Sequence, residues 1–453
     1  MLSETINHHR NIDKPALSAG RFRALFDVLL LLILAMALPV DTITGFLMGS
    51  GASFQALSLM YKALAIALML GYLSLYCLRH FVIVLLLLLS LYGSMYVRVL
   101  IGGDTEKALV DFVNIIKIMT PAITVWVLLS IACANNLNWG VWIKAILAVS
   151  AVTVFVNLIA GVFGFGFATY SFEDAADVGI KGFFYAGNEL SAVFVVVCGF
   201  LLSVLWSRRS KLYWAAGLGL LVFALLIGTK SAVVATVLLT LIIPLAFERG
   251  YIFRLTRRKI LVVVLAVASL LTVYFAVWNI LATFGLADRV ADVLERRGLI
   301  GFILSGREIY LAQAVAGINE SGTVASILFG IGQAGVEKLT GKGSIEIDLF
   351  DMWFWYGVAG LFYYLLLVTW VLKWSSASFL RTEFPYGPGV LSTSVVLILL
   401  SVTAGHVVVS GMLGIPWAAL ICLAFVSPQR RQQLQLIARL HGQSRVYPRS
   451  HSR

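Results

Sequence analysis

The chain alternates between long apolar runs and short polar joints. Twelve runs, near residues 24–40, 54–78, 80–101, 112–134, 139–163, 188–206, 212–228, 230–247, 260–283, 350–373, 388–409 and 411–427, come close to the roughly twenty apolar residues a helix needs to cross a bilayer core. Joints as short as Gly228-Thr229-Lys230-Ser231 and Ser410-Gly411 leave that number sensitive to the reading of one or two boundaries. The longest joint, about 284–350, departs from the pattern. Within it, DRVADVLERR (288–297) and REIYLAQAVAGI (307–318) place apolar residues three and four apart, which predicts two helices. A structureless connection of that length is uncommon unless it is functional. No internal repeat or low-complexity stretch separates a second domain.

Composition agrees with the pattern. Of 453 residues, 60% are hydrophobic and 12% charged, with mean hydropathy +0.95. A soluble domain is nearer half apolar and a quarter charged. The expected fold is an all-α polytopic membrane protein of about twelve transmembrane helices with a long outer, periplasmic helical loop.

Charge then orients the spans. Arg10, Lys14, Arg21 and Arg23 precede the first, Arg79 follows the second, and Arg208, Arg209 and Lys211 follow the sixth. Arg249, Arg254, Arg257, Arg258 and Lys259 follow the eighth, Lys373 and Arg381 the tenth, and the tail carries Arg430, Arg431, Arg439, Arg445, Arg449 and Arg453. All fall on one side, which the positive-inside bias makes cytoplasmic, together with both termini. The organisation expected is a cytoplasmic tail (1–23), spans one to nine (24–283), the outer loop (284–350), spans ten to twelve (351–427) and a basic cytoplasmic tail (428–453). The net charge of +12 is thereby accounted for by topology and requires no nucleic acid. Ala35-Met36-Ala37 has the form of a signal-peptidase site, but Asp27 interrupts the apolar core and the leader before it is long, so the first span is expected to stay. Cys77, Cys133, Cys198 and Cys422 lie in or beside apolar runs without paired-ligand spacing and read as packed small residues.

Four cations, Lys62, Arg98, Lys117 and Lys144, interrupt apolar runs, where Asp27 is the one carboxylate. An ionisable group inside a bilayer is costly and faces a cavity rather than lipid, unless a long stem lets it snorkel to the interface. Lys144, near the inner end of its span, suits snorkelling; for Arg98 and Lys117 both readings stand. Lys230 sits in a tight outer turn whose backbone N–H groups suit an anion. Three carboxylates, Glu346, Asp348 and Asp351, gather at the mouth of the tenth span. Helix capping explains Asp348 and Asp351, and pairing with Arg307, Lys338 or Lys342 explains Glu346, as readily as chemistry does. Gly330-Ile331-Gly332-Gln333-Ala334-Gly335 satisfies GxGxxG, but a dinucleotide turn requires a strand before it and a βαβ setting, and this stretch lies in the outer loop. A glycine turn that doubles the loop back is expected instead.

Two segments together resemble the O-antigen polymerase and ligase superfamily of bacterial envelope glycan enzymes. One is FGFGFATYSFEDAADVGIKGFFYAGNELSAVF (163–194), with GFFYAGNELS similar to the GFF-x-x-x-NE signature of the polymerase branch. The other runs from SGREIYL (305–311) through LFGIGQAG to IEIDLFDMWFWYGVAG, and the GTKSA turn is similar to the basic small-residue turn of that family. The resemblance covers about residues 160–370. It implies an all-α bundle similar to lipid-linked-sugar glycosyltransferases, acting at the outer face of the bacterial inner (plasma) membrane. Its donor and acceptor would be glycans on undecaprenyl pyrophosphate, in contact with membrane lipid and with a chain-length regulator as a further partner. Ligases of the family carry a His just before the span after the long loop; here that place reads Ile345-Glu346-Ile347-Asp348, which favours the polymerase branch.

Such a transfer needs the leaving pyrophosphate neutralised and the acceptor hydroxyl deprotonated. Fixed cations can do the first without a cofactor or metal, although Glu346-x-Asp348 is also a possible Mg²⁺ pair. Arg307 is the leading pyrophosphate residue, followed by Arg98, Lys117 and Lys230, and Glu346 or Asp348 the base. Asn188 and Glu189 begin a helix, where capping competes with a substrate role, and His406 near the outer end of the eleventh run is either packed or a displaced base. Trp353, Trp355, Tyr356, Tyr363 and Tyr364 read first as an interfacial belt and second as a sugar platform. The rival classes are the related ligase, a flippase or exporter of lipid-linked sugars, and a shape-and-division peptidoglycan polymerase, whose signatures the chain lacks.

Overall fold

A computed structural model describes residues 14–51, 56–102, 105, 107–134, 138–172, 175–184, 186–248, 303–321 and 323–427, with isolated positions between 256 and 301 and at 437. The ninth predicted span (260–283) and the predicted helix at 288–297 fall almost wholly outside these residues. The helices are α1 (Lys14–Ala35), α2 (Ala37–Gly49), α3 (Leu57–Tyr76), α4 (Leu78–Gly102), α5 (Ala108–Ala134) and α6 (Trp139–Val162). Then follow the strands β1 (Phe167–Phe172) and β2 (Ala175–Gly182), and the helices α7 (Gly187–Ser207), α8 (Tyr213–Ile227) and α9 (Lys230–Phe247). The last part holds α10 (Arg307–Ser321), α11 (Val324–Phe329), α12 (Gly332–Thr340), α13 (Asp348–Phe379), α14 (Gly387–Thr403) and α15 (Gly414–Leu423). Seven of these are long and apolar enough to cross a membrane, or eight if the bent pair α1–α2 is one span; α8, α14 and α15 are shorter apolar helices. Large apolar side chains such as Leu29, Leu86, Leu89, Leu218, Val222, Phe362 and Leu365 point outward from the helices, the surface of a membrane-embedded protein.

Helix α1 starts at Lys14, inside the stretch expected to be a tail, and bends by 45° into α2. Pro39, three residues into α2, has no N–H to give and its ring crowds the carbonyl of residue 35, so the chain cannot run straight there. Helices α5 and α7 form the interior, with α15 packed on both and α13 packed on α14. The all-α expectation needs one amendment. The β-favouring Phe167, Thr169, Tyr170 and Phe172 mark FATYSF, which pairs antiparallel with β2, Phe167 opposite Gly182 and Phe172 opposite Ala175. Thr169 Oγ1 donates to the Ile227 carbonyl (2.8 Å), and Asn157 Oδ1 accepts the Phe183 N–H (2.9 Å). The hairpin is thus seated on the ends of α6 and α8.

The tenth predicted span is a helix with a break in it. Gly357 has φ 61° and ψ −144°, a conformation closed to side chains, and the Leu328 carbonyl occupies the place of its missing Cβ. The break frees three carbonyls of α13, and each finds a donor elsewhere. The Phe354 carbonyl takes the Ile331 N–H (2.7 Å), that of Trp355 takes Arg98 Nη1 (2.8 Å), and that of Tyr356 takes Ser94 Oγ (2.8 Å). The other arm of Arg98 pairs with Asp111 at 2.5 Å, and Asp111 is 1% exposed and also accepts the Gln333 N–H at 3.3 Å. This places the GIGQAG stretch. Gly332 (φ 70°) lies directly against the Arg98 guanidinium, the preceding element is the helix α11 rather than a strand, and the turn folds the loop back onto α13.

Arg98 is therefore the pin of a kinked helix, with Nη1 on the Trp355 carbonyl and Nη2 on Asp111. Removing one member of a buried pair leaves the other charge uncompensated, at about 3–5 kcal/mol. Arg98→Met is expected to lower the unfolding temperature of the purified protein well below that of Arg98→Met/Asp111→Leu. A double variant no more stable than the single one would remove the pair from this role.

Candidate active site

The site grows from two turns and a helix start. Ser305 and Gly306, both at positive φ, lead into α10 and present Arg307 as its first residue. The turn 344–347 ahead of α13 is tied down by Asp351, one turn into that helix. Its Oδ1 accepts the Ile345 N–H (2.6 Å), and its Oδ2 accepts Ser344 Oγ (2.8 Å) and the Glu346 N–H (3.1 Å). So held, Glu346 adopts φ 63° and points its carboxylate at Arg307, with Oε2 2.8 Å from Nη2. Arg307 Nη1 donates to the Leu304 carbonyl at 3.2 Å, while its Nε is buried with no partner among the described residues.

The second turn replaces the predicted helix ends at 409 and 411. Helix α14 stops at Thr403, α15 begins at Gly414, and residues 404–413 run between them as irregular chain, nearly all of it buried. Buried N–H groups need partners, and two carboxylates supply them. Asp348 Oδ2 accepts from Val407 (3.0 Å) and Val408 (2.7 Å), and Glu189 Oε2 accepts from Met412 (3.1 Å) and Ser410 Oγ (2.8 Å). Within 405–413 only His406 and Gly411 fall short of burial. His406, at φ 59°, sets Nε2 3.9 Å from Glu346 Oε2.

Around this core stand further charges. Lys342 Nζ is 3.8 Å from Glu346 Oε1 and lies over the Tyr310 ring, 4.6 Å from its centroid. Lys230, exposed at the start of α9, reaches Ser305 Oγ at 3.4 Å and lies in the field of Arg307. Tyr170 of β1 comes down from the hairpin into electrostatic reach of both Arg307 and Glu346. Partial burial pushes its phenol above the ordinary value, with Arg307 pulling down and Glu346 adding to the rise. One carboxylate is thus surrounded by Arg307, Lys342, His406 and a nearby Lys230, a place with spare positive charge for an anion.

Of the sequence-predicted residues, Arg307, Glu346, His406 and Lys230 come together here. Asp348 lies behind them: it is 0% exposed, its Oδ2 holds the Val407 and Val408 N–H groups, and it stays within electrostatic reach of His406. Lys117 and Glu189 belong to a neighbouring group at Gly411, where a methyl placed on that glycine would sit 3.5 Å from Lys117 Cε and 3.8 Å from Glu189 Oε2, and Asn188 precedes Glu189 at the start of α7. Lys144 lies over the Tyr386 ring at the opposite end of the bundle, 5.1 Å from its centroid. The aromatic residues of α13 are mostly interior: Tyr356 donates to the Asp111 carbonyl and Tyr363 to that of Ile118. Sequence reasoning missed Tyr170, and Lys342 was visible only through its four-residue spacing to Glu346. It also missed Asp111 and Asp41, because both lie at the edges of apolar runs and are drawn inside by the longer helices. Among the described residues no group of three or more His, Cys, Asp or Glu side chains is placed to hold a metal ion. Glu346 and Asp348 are divided between different partners.

Comparison of the chain with protein-family models, with curated proteins and with solved structures gave no match.

The clamp and the candidate base are separable. Asp348→Ala orphans two buried N–H groups, each worth about 1–3 kcal/mol, and is expected to lower the unfolding temperature by several degrees. Glu346→Gln, which keeps a hydrogen-bonding side chain at a half-buried place, is expected to unfold close to wild type. Equal unfolding temperatures for wild type and Asp348→Ala would refute the clamp.

Proposed function

We propose that the protein is a glycosyltransferase that polymerises surface-polysaccharide repeat units. It moves a growing glycan from undecaprenyl pyrophosphate to a hydroxyl of a lipid-linked repeat. The reaction runs at the outer face of the bacterial inner membrane, which the chain crosses about twelve times with both termini cytoplasmic. The observation that carries the reading is the Arg307–Glu346 pair flanked by His406, Lys342 and Lys230. It brings the two segments of the polymerase resemblance, at 163–194 and 305–360, to one place through Tyr170, Arg307 and Glu346.

The chemistry follows from the charges. The acceptor oxygen forms a bond to the anomeric carbon as the bond from that carbon to the pyrophosphate oxygen breaks, and the pyrophosphate leaves with the electron pair. Arg307 offers a planar fork to the phosphates, and Lys342 and Lys230 offer point charges. A pyrophosphate competes with Glu346 for the guanidinium, and its arrival frees that carboxylate from Arg307. Glu346 then takes the acceptor proton, and binding of the donor switches on the base. Neither step draws on a cofactor. A chain-length regulator is a proposed partner of the same reading.

His406 supports a second reading. Ligases of the superfamily place a His before the span after the long loop, and the fold brings His406 to that location from a different part of the chain. In that case the acceptor is a different molecule, and His406, oriented by Glu346, takes the proton.

Gel profiles of surface glycan and lipid-linked intermediates test both, comparing a deletion strain complemented with wild type, Arg307→Ala or Glu346→Gln. Loss of one charge-stabilising group typically costs on the order of 10²–10³ in rate, so long chains are expected to vanish at normal protein level while single repeats persist on the acceptor. Long chains accumulating on the lipid carrier would favour the ligase, and repeat units trapped on the cytoplasmic face a transporter. Wild-type polymer from Glu346→Gln would remove that residue as the base.

A further inference from the structure

A second group of charges lies beside the Arg307 cluster and takes no part in the transfer step. Lys62 Nζ is 2.6 Å from Asp41 Oδ1, and Ser58 Oγ donates to the same oxygen. Asp41 Oδ2 is buried and among the described residues accepts no hydrogen bond, on a side chain only 8% exposed. Glu189 lies within electrostatic reach of Asp41 and spends its Oε2 on Ser410 and Met412. Lys117 approaches the same carboxylate across Gly411, and among the described residues its ammonium has no hydrogen bond or ion pair. Asn188, half-buried, stands next to Glu189 at the start of α7.

The order of signs selects the ligand. Two carboxylates oppose a phosphate, and two ammonium groups, one already on Asp41, oppose a metal ion. A hydroxyl group both donates to a carboxylate and accepts from an ammonium. An unfilled buried acceptor at Asp41 Oδ2 and an unfilled donor at Lys117 Nζ, linked through the Glu189 carboxylate that lies near both, therefore suit hydroxyls of an uncharged sugar. We infer that Asp41, Lys62, Lys117 and Glu189 form a subsite for the hydroxyl groups of a neutral sugar ring. Resting on the glycan-transfer reading, this places the acceptor sugar. The two accessible points of 405–413 are His406, at the Glu346 carboxylate, and Gly411, at this subsite, so a sugar seated at Gly411 lies along the same loop from the group that takes its proton.

Saturation-transfer difference NMR on the purified full-length chain in detergent tests this, with free glucose, galactose, mannose, rhamnose and N-acetylglucosamine as probes. At least one sugar is expected to receive saturation from wild type. The signal is expected to fall about tenfold in Asp41→Asn and in Lys117→Met, the loss of one charge-assisted hydrogen bond. Lys144→Met, at the opposite end of the bundle, is expected to leave it unchanged. Lys117→Met keeps the Asp41–Lys62 pair, so a folding defect in Asp41→Asn does not decide the result. No saturation transfer to any of these sugars, or an unchanged signal in Lys117→Met, overturns the subsite. The measurement needs no turnover. A deletion strain with unaltered surface glycan would refute the polymerase and leave the binding result standing.

Discussion

The structure depends on keeping ten residues of irregular chain, 404–413, inside an apolar bundle. In a bilayer no water is on hand for exposed N–H groups, and irregular backbone persists at depth only where protein or a water-lined cavity satisfies it. Asp348 and Glu189 meet that demand from two different helices. Each carboxylate is itself tolerated inside because it accepts hydrogen bonds from N–H groups that need them. Loop and carboxylates are mutually necessary, and the loop carries the two points, His406 and Gly411, around which the polar residues collect.

The break at Gly357 obeys the same rule. Three carbonyls freed from the helix ladder are taken up by a backbone N–H, a guanidinium and a hydroxyl from elsewhere in the chain. Both irregularities lie near the hairpin end of the bundle, and both are tied by polar groups rather than left to apolar packing. Glu346 and His406 face one another from left-handed backbone, as does Ser305 beside Arg307. Conformations of that kind cost about 1–3 kcal/mol and persist where the surroundings over-determine them, which is most often at functional sites.

Much of the helix layout was legible because lipid leaves little freedom: runs of apolar residues near bilayer length predict helices, and all eleven that fall among the described residues contain one. The errors came where a tertiary contact outweighed local pattern. In GHVVVSGM only Ser410-Gly411 reads as a joint, and the valines before it look like helix interior until Asp348 is known to hold Val407 and Val408. Arg98 looked unpaired because its partner, Asp111, lies beyond the apolar run that defines the span. The hairpin hid in a loop rich in glycine, where β-formers such as Phe167, Thr169 and Tyr170 are interleaved with acidic residues. For the site, Arg307 and Glu346 were readable from charge in a long connection, whereas Tyr170 and Asp41 reach their clusters only through folding.

Order of synthesis gives the carboxylate–loop bonds a further meaning. Glu189 waits for Ser410 across 221 residues, and Asp348 for Val408 across 60. A nascent chain therefore inserts α7 long before the backbone that its acidic residue will satisfy has left the ribosome. Until residues 410–412 arrive, the Glu189 carboxylate of α7 lacks the donors that hold it. A product stalled before Val407 would leave both Asp348 and Glu189 without the donors that hold them.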